Sequence, residues 1–246
     1  MSRSKLERKI RREQRKLPIV RLQRLSLTDY PGRLCAKVVI PGCNFRCPYC
    51  KNSELIFDYL SMEKVPERDV LDHLYRVKGY LTGLCIGGGE PTLHYGLLQF
   101  AYKVKSLGYK VKLDTNGTRP RRLRKMMEEG VLDYIAMNIK APLDRYPDVV
   151  RYKVDVKAIG ESIRLLRKGG IDYEFNTTVV PGIIGVKDIE EIARTLIGSK
   201  RFVIQQLKSE VNSCPGYSKI KPYTKNELEG FRKLVLPYFA DCKIKY

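Results

Sequence analysis

Short apolar runs alternate with amphipathic, helix-length segments along most of this chain, joined by glycine and proline turns. Ala36 to Ile40, Leu84 to Ile86, Lys110 to Asp114, Tyr134 to Ile139, Tyr173 to Val180 and Arg201 to Leu207 read as strands. Helical periodicity fills Leu97 to Leu107, Arg121 to Glu129, Ile159 to Lys168, Lys187 to Leu196 and Lys225 to Leu236. Gly108, Gly130 and the pair Gly169-Gly170 stop three of these helices. Strands separated by helices form right-handed βαβ units, so the chain is expected to build an α/β fold on a parallel sheet. Six such repeats are too few for a closed eight-fold barrel. A partial barrel, open on one side, and a doubly wound open sheet both satisfy that count. Either one gathers the carboxyl ends of its strands on a single rim, where binding and catalytic groups collect.

Three cysteines, Cys43, Cys47 and Cys50 in PGCNFRCPYCKN, follow the first of these strands. They are one ligand short of a closed four-thiolate metal site, and a site that does chemistry keeps a position open for substrate. The other cysteines, Cys35, Cys85, Cys214 and Cys242, are scattered singly, as are His73 and His94, so a zinc knuckle lacks its second ligand pair. A disulfide framework fits poorly as well. The cysteine count of seven is odd, no signal peptide is evident, and 246 residues can bury a core without staples. An iron–sulfur site is the reading that remains first, ahead of zinc. Pro48 favours a tight turn between Cys47 and Cys50, and Tyr49 offers an aromatic face beside them.

A second motif stands at the end of the next strand. In LCIGGGEPTL, Gly87, Gly88 and Gly89 permit close backbone approach and unusual φ angles. Glu90 can accept hydrogen bonds from a cationic ammonium group.

The spacing Cys43-x3-Cys47-x2-Cys50, with an aromatic residue just before the last cysteine, resembles the signature of the radical S-adenosylmethionine (SAM) enzymes, and the GGGEP segment resembles their Gly-Gly-Glu motif. The resemblance implies a partial (β/α)6 TIM-like barrel of the radical SAM type. It implies a [4Fe–4S] cluster on Cys43, Cys47 and Cys50, a fourth iron chelated by SAM, and Gly88 to Glu90 at the amino end of SAM. It also implies reductive cleavage of SAM to a 5′-deoxyadenosyl radical, in which the cofactor brings the chemistry and the protein supplies binding and orientation. Tyr49, Asp114 and Asn116 of the run DTNG, and Asn138 and Lys140 of MNIKAP, are the further residues expected around SAM. Asn138 stands where the activating enzymes of glycyl radical proteins usually carry aspartate, which replaces a carboxylate contact by an amide. For Asn116 a type I′ turn with Gly117 explains the residue equally well. Asn176, Thr178, the loop Pro181 to Gly185, Gln205 and Gln206 are pocket candidates by position alone.

From Arg21 to Asn52 the sequence resembles the start of short activating enzymes for glycyl radical proteins, above all the activators of anaerobic ribonucleoside-triphosphate reductase. Ser26, Asp29, Tyr30, Pro31 and Gly32 carry the shared lead-in. The lack of auxiliary cluster cysteines and of a further C-terminal domain favours a minimal activase. The implied partners are a glycyl radical enzyme, such as anaerobic ribonucleotide reductase, and reduced flavodoxin or ferredoxin as electron donor.

Charge keeps a second class of function open. Lys and Arg number 47 against 27 Asp and Glu, a net +20 that draws acidic proteins, polyphosphates or nucleic acid. A radical SAM enzyme modifying tRNA or a nucleoside precursor would use the same motifs. A cluster that only carries electrons is disfavoured, because such clusters take all their ligands from protein. Residues 1–16 hold eight basic and two acidic residues and read as a basic tail, leaving 17–246 as a single radical SAM domain. No apolar run approaches the roughly 20 residues of a membrane span. The thiols and a labile cluster fit a reducing cytoplasm.

Overall fold

In the computed structural model, residues 16–208 and 219–246 are described. The basic run at 1–15 and Cys214 lie outside the described residues.

One eight-stranded sheet forms the wall: β1 (Arg21–Ser26), β2 (Cys35–Ile40), β3 (Gly83–Gly88), β4 (Lys110–Thr115), β5 (Tyr134–Asn138), β6 (Asp172–Val179), β7 (Arg201–Gln206) and β8 (Asp241–Lys245). The spatial order is the sequence order, β1 to β8. β1 runs antiparallel to β2, and every later pair is parallel. A doubly wound sheet reverses its strand order at a switch point. This sheet has no reversal, so successive right-handed crossovers curl it in one direction and the partial barrel is the architecture. The edges β1 and β8 do not pair, although Lys245 Nζ on β8 reaches the Thr28 carbonyl beyond β1 at 3.3 Å.

Among the described residues the α-helices are α1 (Glu54–Phe57), α2 (Glu67–Arg76), α3 (Leu97–Ser106), α4 (Pro120–Glu128), α5 (Tyr146–Val150), α6 (Val156–Lys168), α7 (Val186–Thr195) and α8 (Lys225–Val235), with short 3-10 turns at Pro91–Leu93 and Leu236–Tyr238. The long ones bury apolar residues three or four apart, such as Val70 and Leu74 of α2 or Ile159, Ile163 and Leu166 of α6, against the outer face of the sheet. Asp155 caps α6 through the Lys157 and Ala158 N–H groups, and Thr224 with Glu227 forms a capping box on α8.

The expected strands and helices are present within a few residues of their predicted bounds. Absent from the sequence reading were the edge strands and α1, α2 and α5. β1 is exposed at most positions and β8 is five residues long, so neither shows a strand-like apolar pattern.

The inner face of the wall is unusual. A closed barrel normally packs branched apolar side chains there. Here alternate residues, among them Lys37 of β2, Lys112 and Asp114 of β4, Glu174 and Asn176 of β6, and Lys243 and Lys245 of β8, line an open cavity of about 590 Å³.

Candidate active site

The cavity opens at the carboxyl ends of the strands and is lined by Cys43, Cys47, Tyr49 and Cys50 together with Gly88, Gly89, Asp114, Asn116, Asn138 and Lys140. Thr115, Asn176, Thr178, Gln205 and Gln206 also face it. The Pro181 to Gly185 loop does not. Its Gly185 N–H bonds Asp188 at the start of α7 at 2.9 Å, which directs the segment to the outer helix layer.

Backbone contacts fix the cysteine loop to the glycine loop. Gly89 N–H donates to the Ile40 carbonyl at 2.8 Å, Glu90 N–H to the Gly42 carbonyl at 2.7 Å, and the His94 ring to the Pro41 carbonyl at 2.7 Å. A Cβ on Gly88 would lie 2.5 Å from the Ile40 oxygen, and one on Gly89 2.0 Å from the Gly42 oxygen. Glycine is therefore required for two chains to touch, in addition to any approach by a ligand. Within the cysteine loop, Cys50 N–H closes a turn on the Cys47 carbonyl at 3.1 Å, and the Arg46 guanidinium bonds the Cys43 and Phe45 carbonyls at 2.8 and 2.9 Å. Tyr49 is buried beneath the loop with its hydroxyl 3.5 Å from the Lys140 carbonyl.

Glu90 does not face the cavity. Its fully buried carboxylate accepts from Thr92 N–H at 3.0 Å, Thr92 hydroxyl, Thr115 hydroxyl at 2.8 Å and Asn116 N–H at 2.6 Å. Burial raises its pKa, and these bonds offset only part of the rise. The acid anticipated as a contact for an ammonium group is instead the clamp that ties the glycine loop to the end of β4. Asn116 continues the clamp. Its side-chain amide donates to Asn44 Oδ1 at 2.9 Å and approaches Cys43 Sγ at 4.0 Å, while its Oδ1 accepts from Thr118. It is thus both a turn residue and a brace for the cysteine loop.

Asp114 is ion-paired to Lys112, two residues back on the same face, and accepts from Cys85 Sγ at 3.5 Å. Burial alone would lower the Lys112 pKa, but the adjacent Asp114 carboxylate outweighs it and keeps the ammonium charged. Asp29 is bonded to Lys37 at 2.5 Å and Ser26 at 2.7 Å. Lys37, Lys51, Lys112, Lys243 and Lys245, with Asp29 and Glu174, were not anticipated as cavity residues. The signal for one of them was there: Lys37 is a charge inside the otherwise apolar strand run Cys35 to Ile40.

The side chains suit the expected cofactors. Three thiols share one cavity, and among the described residues the buried acceptors Asn176 Oδ1 and Gln206 Oε1 have no hydrogen-bond partner, although both residues line that cavity. Burial pushes the Cys43 thiol up to about 12, so it is a ligand that a metal must deprotonate.

Residues 38–196 match the family model described as the radical SAM superfamily. This chain belongs to that superfamily. The cofactors of radical SAM enzymes are the [4Fe–4S] cluster and SAM expected from the sequence, and the end of β2, the cysteine triplet, the glycine loop and β3 to β6 all fall inside the matched stretch. A Methanocaldococcus jannaschii protein, provisionally named a glycyl-radical enzyme activating enzyme, is 30% identical over 227 residues, covering 90% of this chain and 92% of the relative. An S-adenosylmethionine-dependent nucleotide dehydratase of a Thermoplasmatales archaeon is 34% identical over 142 residues, 56% of this chain and 49% of its own length. Among solved structures, Streptococcus suis SuiB bound to S-adenosylmethionine superposes with a TM-score of 0.63 over 82% of this chain and 48% of SuiB, at 16% identity, which supports the radical SAM barrel as a fold. No helix among the described residues is long and apolar enough to cross a membrane.

Proposed function

We propose that this radical SAM enzyme is an activase that abstracts hydrogen from a glycine of a partner glycyl radical enzyme, with anaerobic ribonucleotide reductase as the first candidate. The observation that carries the reading is the extent of similarity: nine-tenths of both chains align with the M. jannaschii relative that bears the activase name.

Cys43, Cys47 and Cys50 would hold the [4Fe–4S] cluster, and Gly88, Gly89, Asp114, Asn116, Asn138 and Lys140 would surround SAM. When bound, this pair supplies a 5′-deoxyadenosyl radical able to take a hydrogen atom. The protein positions the reactants. The clamp of Glu90, Thr115 and Asn116 sets the glycine loop against the cysteine loop, and Asn176 and Gln206 offer acceptors to ligand donors. The cavity is open at the strand ends, and a glycine, lacking a side chain, can thread into a crowded pocket. Reduced flavodoxin or ferredoxin, as an acidic carrier, suits a chain of net charge +20.

The test is to incubate reduced, reconstituted enzyme and SAM with candidate glycyl radical enzymes and to look for the glycyl doublet by electron paramagnetic resonance. A doublet that depends on Cys43, Cys47 and Cys50 is expected. SAM cleavage with no doublet on any such partner would overturn the activase reading and leave the superfamily membership standing. A second reading, modification of tRNA or a nucleoside precursor, draws on the lysine-rich cavity and on the nucleotide named in the dehydratase relative. Deuterium transfer from labelled nucleotide into 5′-deoxyadenosine would support it.

A further inference from the structure

Arg46, between Cys43 and Cys47, turns its side chain back onto the cysteine loop. Its guanidinium donates to the Cys43 and Phe45 carbonyls at 2.8 and 2.9 Å, and its backbone N–H donates to the Val150 carbonyl, at the end of α5, at 2.8 Å. The guanidinium carbon also lies over two rings, 5.7 Å from the centre of Phe57 and 5.5 Å from that of Tyr152. Phe57 ends α1, and Tyr152 follows α5. The two residues are 64% and 50% exposed, so burial of apolar surface does not account for where they stand. Tyr152 comes directly after Arg151, which at φ +48° is the one non-glycine residue with positive φ among those described. Side-chain-bearing residues seldom adopt that backbone, and such outliers collect where function requires them.

Among the described residues no carboxylate lies at ion-pair distance from Arg46; it touches carbonyl oxygens and ring faces. A guanidinium does not lose its proton in a protein, so a permanent positive charge is fixed on the backbone of a thiol ligand. An iron–sulfur cluster gains a negative charge on reduction, and its potential responds to the charge around it. We propose that Arg46 is a positioning residue for the cluster, holding a fixed cation against the cysteine loop that favours the reduced form and so raises the reduction potential. Phe57 and Tyr152 keep the guanidinium in place. The inference rests on the reading of Cys43, Cys47 and Cys50 as the cluster ligands.

The experiment is a redox titration of the cluster-reconstituted enzyme without SAM, followed by electron paramagnetic resonance of the reduced cluster, with iron content measured for each variant. Arg46→Gln is expected to lower the ratio of reduced to oxidised cluster at the wild-type midpoint about tenfold, which is about 59 mV for one electron. Arg46→Lys should recover most of that shift, because it restores the charge. Phe57→Leu with Tyr152→Leu, which leaves the charge but frees it, is expected to lower the ratio about threefold, the worth of a solvent-exposed cation–π contact. An iron-filled Arg46→Gln enzyme with the wild-type midpoint overturns the proposal. So does an equal shift in Lys168→Gln, at the exposed end of α6, which would trace the effect to net charge. Absence of recovery in Arg46→Lys overturns it too, by tracing the shift to loop packing. Where Arg46→Gln takes up no iron, the ring variant decides, and a wild-type midpoint in that variant, filled with iron, overturns the proposal. Iron uptake by the cysteine variants tests the ligand reading separately, and neither SAM cleavage nor a partner enzyme enters the titration.

Discussion

The two halves of the cavity are built on different principles. On the β2 to β4 side, the cysteine loop, the glycine loop and the DTNG turn are locked together by short backbone bonds and a buried carboxylate whose acceptors are filled. On the β6 to β8 side, the buried Asn176 and Gln206 acceptors lack hydrogen-bond partners among the described residues and the last strand has a free edge. A region satisfied in its own bonds holds its shape before anything binds, which is what cofactor ligands need. A region left unsatisfied gains from whatever arrives. The contrast supports the proposal that the closed half holds the cluster and SAM and the open half meets the substrate.

The largest effect that would break this contrast is at the thiols. Cys43→Ala, Cys47→Ala or Cys50→Ala should each abolish the cluster absorbance and SAM cleavage after anaerobic reconstitution. Cys35→Ala, buried near Tyr30, and Cys242→Ala, on β8, should keep both. Cleavage retained by any of the first three would remove the ligand assignment.

Next in size is the test of close approach. Gly89→Ala places a methyl 2.0 Å from the Gly42 carbonyl oxygen, a clash with backbone that no rotamer relieves. A loss of roughly 3 kcal/mol or more in denaturant unfolding is expected, at the upper end of overpacking costs. Gly108→Ala meets nothing within 4 Å and carries only the strain of φ +91°, so its cost should be nearer 1 kcal/mol. Equal losses in the two variants would mean that the loop contact is not tight.

Glu90 separates the sequence reading from the fold. Glu90→Gln turns an amide N–H2 toward donors that now share the carboxylate, and should cost about 2 kcal/mol of stability through unsatisfied buried groups. If SAM affinity falls while unfolding stays unchanged, the side chain contacts ligand after all. What was legible in the sequence was local: three cysteines within eight residues, consecutive glycines, and apolar runs of the right period. The role of Glu90 was not, because its partners Thr115 and Asn116 are 25 and 26 residues away and meet it only when β3 and β4 pair. The edge strands were hidden for a related reason: β1 is mostly exposed, so burial does not impose an alternating pattern on it. A charge inside an otherwise apolar strand run is the mark by which Lys37 could have been found.

A smaller effect, dependent on pH, belongs to the β1–β2 edge of the cavity. Burial raises the Asp29 pKa, but the Lys37 ammonium and the Ser26 hydroxyl outweigh it and hold the carboxyl at about 2, against 3.8 for the ordinary group. Because the folded value is depressed, the stabilisation is fully present above about pH 4 and is lost as pH falls through 2, an order of about 2 kcal/mol. Acid unfolding of Asp29→Asn should lack that part of the slope. An unchanged slope would mean that Lys37 does not hold the carboxylate.

The smallest effect on the fold should come from Asn176, and it discriminates most directly between the halves. Asn176 is buried on β6 and its Oδ1 has no hydrogen-bond partner among the described residues. Replacing a satisfied buried amide usually costs a hydrogen bond and a desolvated partner, but here there is no partner on that oxygen to strand. Asn176→Ala should therefore leave unfolding within about 0.5 kcal/mol of wild type, or raise stability slightly by removing an unpaired acceptor. Its cost should appear on ligand binding, as a weaker complex with SAM or substrate of roughly tenfold, the worth of one hydrogen bond regained on binding. Thr115→Val, on the closed side, should do the reverse, since it strips a donor from Glu90 and lowers stability before any ligand is added. If both variants instead lose stability alike and bind alike, the cavity has no satisfied and unsatisfied halves, and its open side is ordinary barrel wall.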